Sequence, residues 1–142
     1  MKVFGIGIDV IEIERVEKAI ETFGDRFLAR IFTVDERDYC LRQNRPAVHL
    51  AARWSAKEAT SKALGTGIGE LLSWGDMEVV RRQSGEPEMV LSGDGLAFCS
   101  QHGIDQIKAS LFLGTDRTHS IRQAIHASEQ PVHLDEMLLL AR

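Results

Sequence analysis

The chain has 142 residues, 44% hydrophobic and 27% charged, which suits one soluble globular domain with a sizeable core. A net charge of −4 argues against general nucleic-acid binding, and any acidic partner would need a local basic patch. No leader pattern follows Met1, no apolar run approaches the ~18 residues that span a bilayer, and Cys40 and Cys99 form no CxxC pair, so a reduced cytoplasmic protein is expected.

Residues 2–10, KVFGIGIDV, alternate as a strand does. Phe4, Ile6, Ile8 and Val10 share one face, expected to be the core side; Val3, Gly5, Gly7 and Asp9 share the other. Helices are predicted over 12–22 and 24–31, separated around Gly24. A third begins at Thr33, with Glu36 three residues on completing a capping box. Pro46 precedes the longest helical pattern, 47–64, which stops at Gly65-Thr66-Gly67-Ile68-Gly69. Strands over 77–81 and 88–91 flank a Ser84-Gly85-Glu86-Pro87 turn. A short helix spans 95–102, and 107–113 with 118–127 form a last antiparallel pair. Helices early and hairpins late indicate an α+β domain. Met137-Leu138-Leu139-Leu140 is too apolar for a solvated tail and is expected to dock on the body or on a neighbouring subunit. The five histidines show no zinc-ligand spacing.

The long helix concentrates the chemistry. Ala52, Ala56, Ala59 and Ala63 make a narrow stripe along which another element can pack closely. Ala51, Ser55, Glu58, Ser61, Lys62 and Gly65 are placed on the other side, a small polar face with room for a ligand. Glu58 and Lys62, four apart, would ordinarily be a solvated surface pair. Three features favour a site instead: the polar face, the glycine-rich loop at the helix end, and Asp9 on a strand face cleared by Gly5 and Gly7. Asp9 and Glu58 suit a Mg²⁺ ion, which takes one or two carboxylates and fills its shell with water and substrate phosphate. Lys62 is then placed as a point charge for phosphate. Gly5-x-Gly7 lacks the third glycine of a dinucleotide fingerprint, and Gly65-Thr66-Gly67 follows a helix, so it is no Walker loop.

With these residues assembled, the sequence resembles the holo-[acyl-carrier-protein] synthase family, the short bacterial phosphopantetheinyl transferases. The resemblance is carried by Gly7-Ile8-Asp9-Val10 with Arg15, by the run from Arg53-Trp54-Ser55-Ala56-Lys57-Glu58 to Gly65-Thr66-Gly67, and by Gly85-Glu86-Pro87. It covers residues 1–127, leaving 128–142 as a C-terminal extension. It implies a small antiparallel sheet packed against a long helix, and a homotrimer with active sites between subunits. It further implies transfer of the 4'-phosphopantetheine of coenzyme A to a serine of apo-acyl carrier protein, releasing adenosine 3',5'-bisphosphate, in fatty acid biosynthesis. Asp9 and Glu58 would hold Mg²⁺; Lys62, Gly65 and Thr66 would meet the phosphates, and Pro87 the adenine. Arg15 would face the acidic helix of the carrier. Glu58 would accept the serine proton, directly or through water, and Lys62 would assist the leaving phosphate. Arg53 belongs to the motif but points away from the Glu58 face, so its coenzyme contact would cross the subunit interface. The family's Ser-His pair is missing: Ser110-Leu111-Phe112-Leu113-Gly114-Thr115 stands there, with His119 the nearest histidine, read as a surface residue. A non-catalytic coenzyme A or carrier-binding module, another Mg²⁺-dependent phosphotransferase and a purely structural domain are the competing readings. Retention of Asp9, Glu58 and Lys62 favours the transferase.

Overall fold

The structure, a computed structural model, describes residues 3–112 and 120–128. Strand β1 (Val3–Glu12) leads into helices α1 (Ile13–Phe23), α2 (Asp25–Ile31) and α3 (Val34–Leu41), then the long α4 (Pro46–Leu64). A 3₁₀ turn at Trp74–Asp76, absent from the sequence expectations, opens the hairpin β2 (Met77–Arg81) and β3 (Pro87–Leu91). Helix α5 (Gly93–Gln101) and strands β4 (Gln106–Phe112) and β5 (Ser120–Ser128) follow. The strands form one antiparallel sheet in the order β1-β5-β4-β3-β2. This is the expected α+β architecture, a small sheet against a long helix. The pairing of β1 with β5, from Val3 opposite Ser128 to Glu12 opposite Ser120, makes β1 an edge strand.

Local signals account for the helix limits. Thr33 Oγ1 accepts from the Glu36 amide and the Glu36 carboxylate accepts from the Thr33 amide, completing the expected capping box. Pro46 sits in the first turn of α4, where its missing N–H costs nothing. Gly65 ends that helix with φ 72°, a left-handed position that glycine occupies without strain.

Helix α4 is buried almost all round and divides the core in two. Its first half packs with Val16, Leu28, Ile31, Phe32 and Cys40 from α1 to α3. Its second half packs with Leu72, Met77, Val79, Met89 and Ile107 beneath the sheet. Trp74 packs against both clusters.

The packing of β1 overturns one expectation. The glycine face, not the apolar face, lies against α4. A Cβ on Gly5 would stand 2.0 Å from the Ala63 carbonyl oxygen, and one on Gly7 1.8 Å from that of Ala59. Glycine is therefore required for backbone to meet backbone. The stripe of small residues on α4 does what the sequence suggested, with β1 as its partner. Phe4, Ile6, Ile8 and Val10 remain 41–49% exposed on the single chain.

Candidate functional site

The site forms where β1 crosses the last three turns of α4. Ser55 Oγ donates to the Asp9 carbonyl oxygen at 3.1 Å. Lys62 Nζ donates to the Ile8 carbonyl oxygen at 3.2 Å and lies 2.7 Å from Asp9 Oδ1. These contacts correct the expected helix faces. At 100° per residue Ser55 and Lys62 flank the alanine stripe and do not oppose it, so the strand that seats on the alanines reaches them too. Ala51, Ser55 and Ser61 are buried, and the open polar face shrinks to Glu58, Lys62 and the loop beyond.

Nor do Glu58 and Lys62 form the ordinary surface pair that the sequence reading set aside. Lys62 turns to Asp9, while Glu58, half-buried one turn earlier, makes no ion pair among the described residues. Asp9 is held from both sides: its backbone by Ser55 and its carboxylate by a half-exposed ammonium. An oxygen cluster of Asp9 Oδ1 and the Ile8 carbonyl thus already gathers a positive charge, as a hard cation would require. Among the described residues no three acidic, histidine or cysteine side chains converge. A cation here would draw on one or two carboxylates and take other oxygens from water and substrate, which suits Mg²⁺.

Beyond Lys62 the chain turns through two left-handed glycines, Gly65 at φ 72° and Gly67 at φ 64°. A Cβ at either would meet nothing within 4 Å, so the loop backbone stands open to solvent. The Thr66 hydroxyl donates to the Gly67 carbonyl at 2.8 Å, holding the turn. A helix C-terminus carries partial negative charge, so a phosphate at this loop needs local positive charge. Lys62, in the last turn, supplies it.

Arg53 takes no part in the Asp9–Lys62 cluster. It is buried on the α3 side of α4, with Nη1 donating to the His49 carbonyl at 3.2 Å and its guanidinium 4.5 Å above the Tyr39 ring. Its Nε is buried without a partner among the described residues. Close by, Arg42, Gln43, Asn44, Arg45, Val48 and His49 line a cavity of about 370 Å³. This basic hollow was missed in the sequence. Its signal was the Arg42 to Arg45 stretch before Pro46. Burial, with Arg53 and Arg81 nearby, holds His49 below the usual histidine range. Burial pushes the Cys40 thiol up to about 11 despite Arg53, so that thiol stays protonated and unreactive.

Arg15 is exposed on the first turns of α1. Pro87 begins β3 after a tight turn in which Gly85 has φ 89° and Arg82 donates to the Glu88 carboxylate through Nε and Nη2. Ser110 falls on β4, while Leu113, Gly114, Thr115 and His119 lie outside the described residues, as does the tail beyond Ser128.

The family model of the 4'-phosphopantetheinyl transferase superfamily matches residues 5–125. A holo-[acyl-carrier-protein] synthase of Chlamydia trachomatis is 56% identical over 88 residues, 62% of this chain and 73% of the relative. One of Caldanaerobacter subterraneus is 41% identical over 125 residues, 88% of this chain and 96% of the relative. Among solved structures, the Neisseria meningitidis holo-[acyl-carrier-protein] synthase has a TM-score of 0.80 at 28% identity, covering 89% of this chain and 99% of the other. The Bacillus anthracis one, solved in complex with CoA (3',5'-ADP), has a TM-score of 0.69 at 33% identity, covering 89% and 97%.

Proposed function

The chain belongs to the 4'-phosphopantetheinyl transferase superfamily, and from that premise we infer that it acts as a holo-[acyl-carrier-protein] synthase. It transfers the 4'-phosphopantetheine group of coenzyme A to a serine of apo-acyl carrier protein, leaving adenosine 3',5'-bisphosphate. Modified carrier serves fatty acid biosynthesis in the cytoplasm. The observation that carries the site assignment is the meeting of Asp9 and Lys62 across the glycine contact of β1 and α4.

In this reading Asp9 and Glu58 hold Mg²⁺ beside the coenzyme A pyrophosphate. Bound there, the ion would neutralise charge on the phosphate oxygens. Lys62 is half-exposed and can exchange Asp9 for a phosphate oxygen at little cost. The Gly65–Thr66 backbone lies next to it and binds the same phosphates, and Pro87 packs on the adenine. Glu58 accepts the proton of the carrier serine as its oxygen attacks the β-phosphorus. Lys62 then stabilises or protonates the departing phosphate. Arg53 and its basic hollow meet a coenzyme phosphate across the interface of a homotrimer, and Arg15 meets the acidic carrier helix.

Mass spectrometry of apo-acyl carrier protein incubated with this protein, coenzyme A and Mg²⁺ tests the function. The carrier should gain one phosphopantetheine, and EDTA should prevent the gain. Glu58→Gln should lower kcat by about 100-fold or more, within the range for a lost general base. A carrier that is bound but never gains mass would leave only a binding module.

A further inference from the structure

Lys57, in the same motif as Glu58, has no place in the phosphate chemistry. Its side chain is fully buried, as is that of Glu36 on α3, and their charged ends lie 2.7 Å apart. All three ammonium protons have acceptors, since Lys57 Nζ also donates to the Ile31 carbonyl at 2.7 Å and the Trp74 carbonyl at 3.2 Å. Glu36 accepts in turn from the Thr33 amide at 2.9 Å and the Val79 amide at 2.8 Å. One ion pair therefore ties α4 to the end of α2, the start of α3, the 3₁₀ turn and β2.

An internal ion pair is a poor device for stability alone. Two charges removed from water recover little beyond what an apolar pair would give, and replacing both is often neutral. Such a pair does fix geometry, because each charge tolerates only the arrangement that satisfies it. On α4 Glu58 follows Lys57 by about 100° and Lys62 by about 140° in the same sense, so the two lie about 40° apart. Whatever fixes Lys57 fixes the rotation of α4, and with it both site residues. Side-chain ends stand roughly 5–6 Å from a helix axis, so a turn of about 10° displaces them by about 1 Å. A misplacement of that size can cost a factor of about 100 in rate.

We propose that Lys57, clamped by Glu36, is a positioning residue that sets the rotation of α4 and so aims Glu58 and Lys62. The proposal rests on the carrier-loading function above. Burial holds the Lys57 ammonium below its ordinary range, and Glu36 offsets this only in part.

Lys57→Met alone strands Glu36 and is expected to unfold readily, so the informative variant is the double Glu36→Gln, Lys57→Met. It should melt cooperatively within a few degrees of the parent. Its kcat for carrier loading should fall at least ~10-fold, with KM for coenzyme A and carrier within about threefold. Trp54 and Trp74 provide a readout independent of turnover. Their rings lie 6.4 Å apart at 82°, one on α4 and the other on the residue whose carbonyl binds Lys57. Near-ultraviolet circular dichroism from this pair should change in the double variant. Turnover within twofold of the parent, a loss carried by KM, or a loss that only matches the unfolded fraction would overturn the proposal. Should the parent itself load no carrier, the function reading fails and the tryptophan signal alone decides: unchanged ellipticity overturns the positioning role.

Discussion

At the residue scale the main question is why Asp9 should bind a lysine in the site proposed above for a divalent ion. Two cations cannot share one carboxylate oxygen closely, so Lys62 and the metal compete for Asp9 until a phosphate draws Lys62 away. The competition is mild: a half-exposed pair contributes at most about 1 kcal/mol, a factor of about five in affinity. Lys62→Met should therefore bind Mn²⁺ roughly twofold to fivefold more tightly without coenzyme A, while loading carrier poorly. Titration calorimetry reads the first effect without turnover. Weaker or unaltered Mn²⁺ binding would show that Asp9 is not the shared ligand. The sequence singled out Asp9 and Lys62, which the fold brings together, but not their direct pairing. A spacing of four suggested Glu58–Lys62, whereas the contact made runs between residues 53 positions apart. Lys57 was illegible for a related reason. Next to a glutamate on a helix it looks like surface charge, and only the fold reveals that Glu36 waits in the core.

At the element scale the strands and helices were readable because their periods differ and their ends carry recognisable residues: Thr33 with Glu36, Pro46, Gly65. Which face of β1 is inward was not readable. Alternation separates two faces, and hydrophobicity then favours Phe4, Ile6, Ile8 and Val10. The deciding term is steric, the approach of α4 to Gly5 and Gly7, and it depends on a helix some 50 residues later. Gly7→Ala would place its Cβ 1.8 Å from a backbone oxygen that cannot move without the helix. That substitution should destabilise by about 3 kcal/mol, at the upper end for overpacking. It should also separate Asp9 from Lys62, so activity should fall in the fraction that remains folded. Gly69→Ala, where a Cβ meets nothing within 4 Å, is the control and should melt like the parent. Denaturant titration followed by circular dichroism checks both.

At the scale of the whole molecule the apolar face of β1 is unfinished. Phe4 packs on Phe98 and His102 of α5, but Ile6, Ile8 and Val10, on an edge strand and each 45–49% exposed, form the kind of patch that marks an interface. Burial of that patch between copies would give the proposed homotrimer its physical reason. It also bears on Arg53, which lies in a different region of α4 from the Asp9–Lys62 cluster yet belongs to the same motif. If each site takes Glu58 from one subunit and Arg53 from its neighbour, two inactive variants can repair one another. Glu58→Gln and Arg53→Gln, each weakly active alone, should regain activity when unfolded together and refolded. Random assembly of equal amounts places an intact Glu58 beside an intact Arg53 at about a quarter of the sites, and the rate should rise to about that fraction of the parent's. Ile8→Lys introduced into both variants would put a charge on the apolar face. Sedimentation should then show single chains, and the repair should vanish. Recovery by mixing without association, or association without recovery, would place Arg53 in the same subunit's site or outside it altogether.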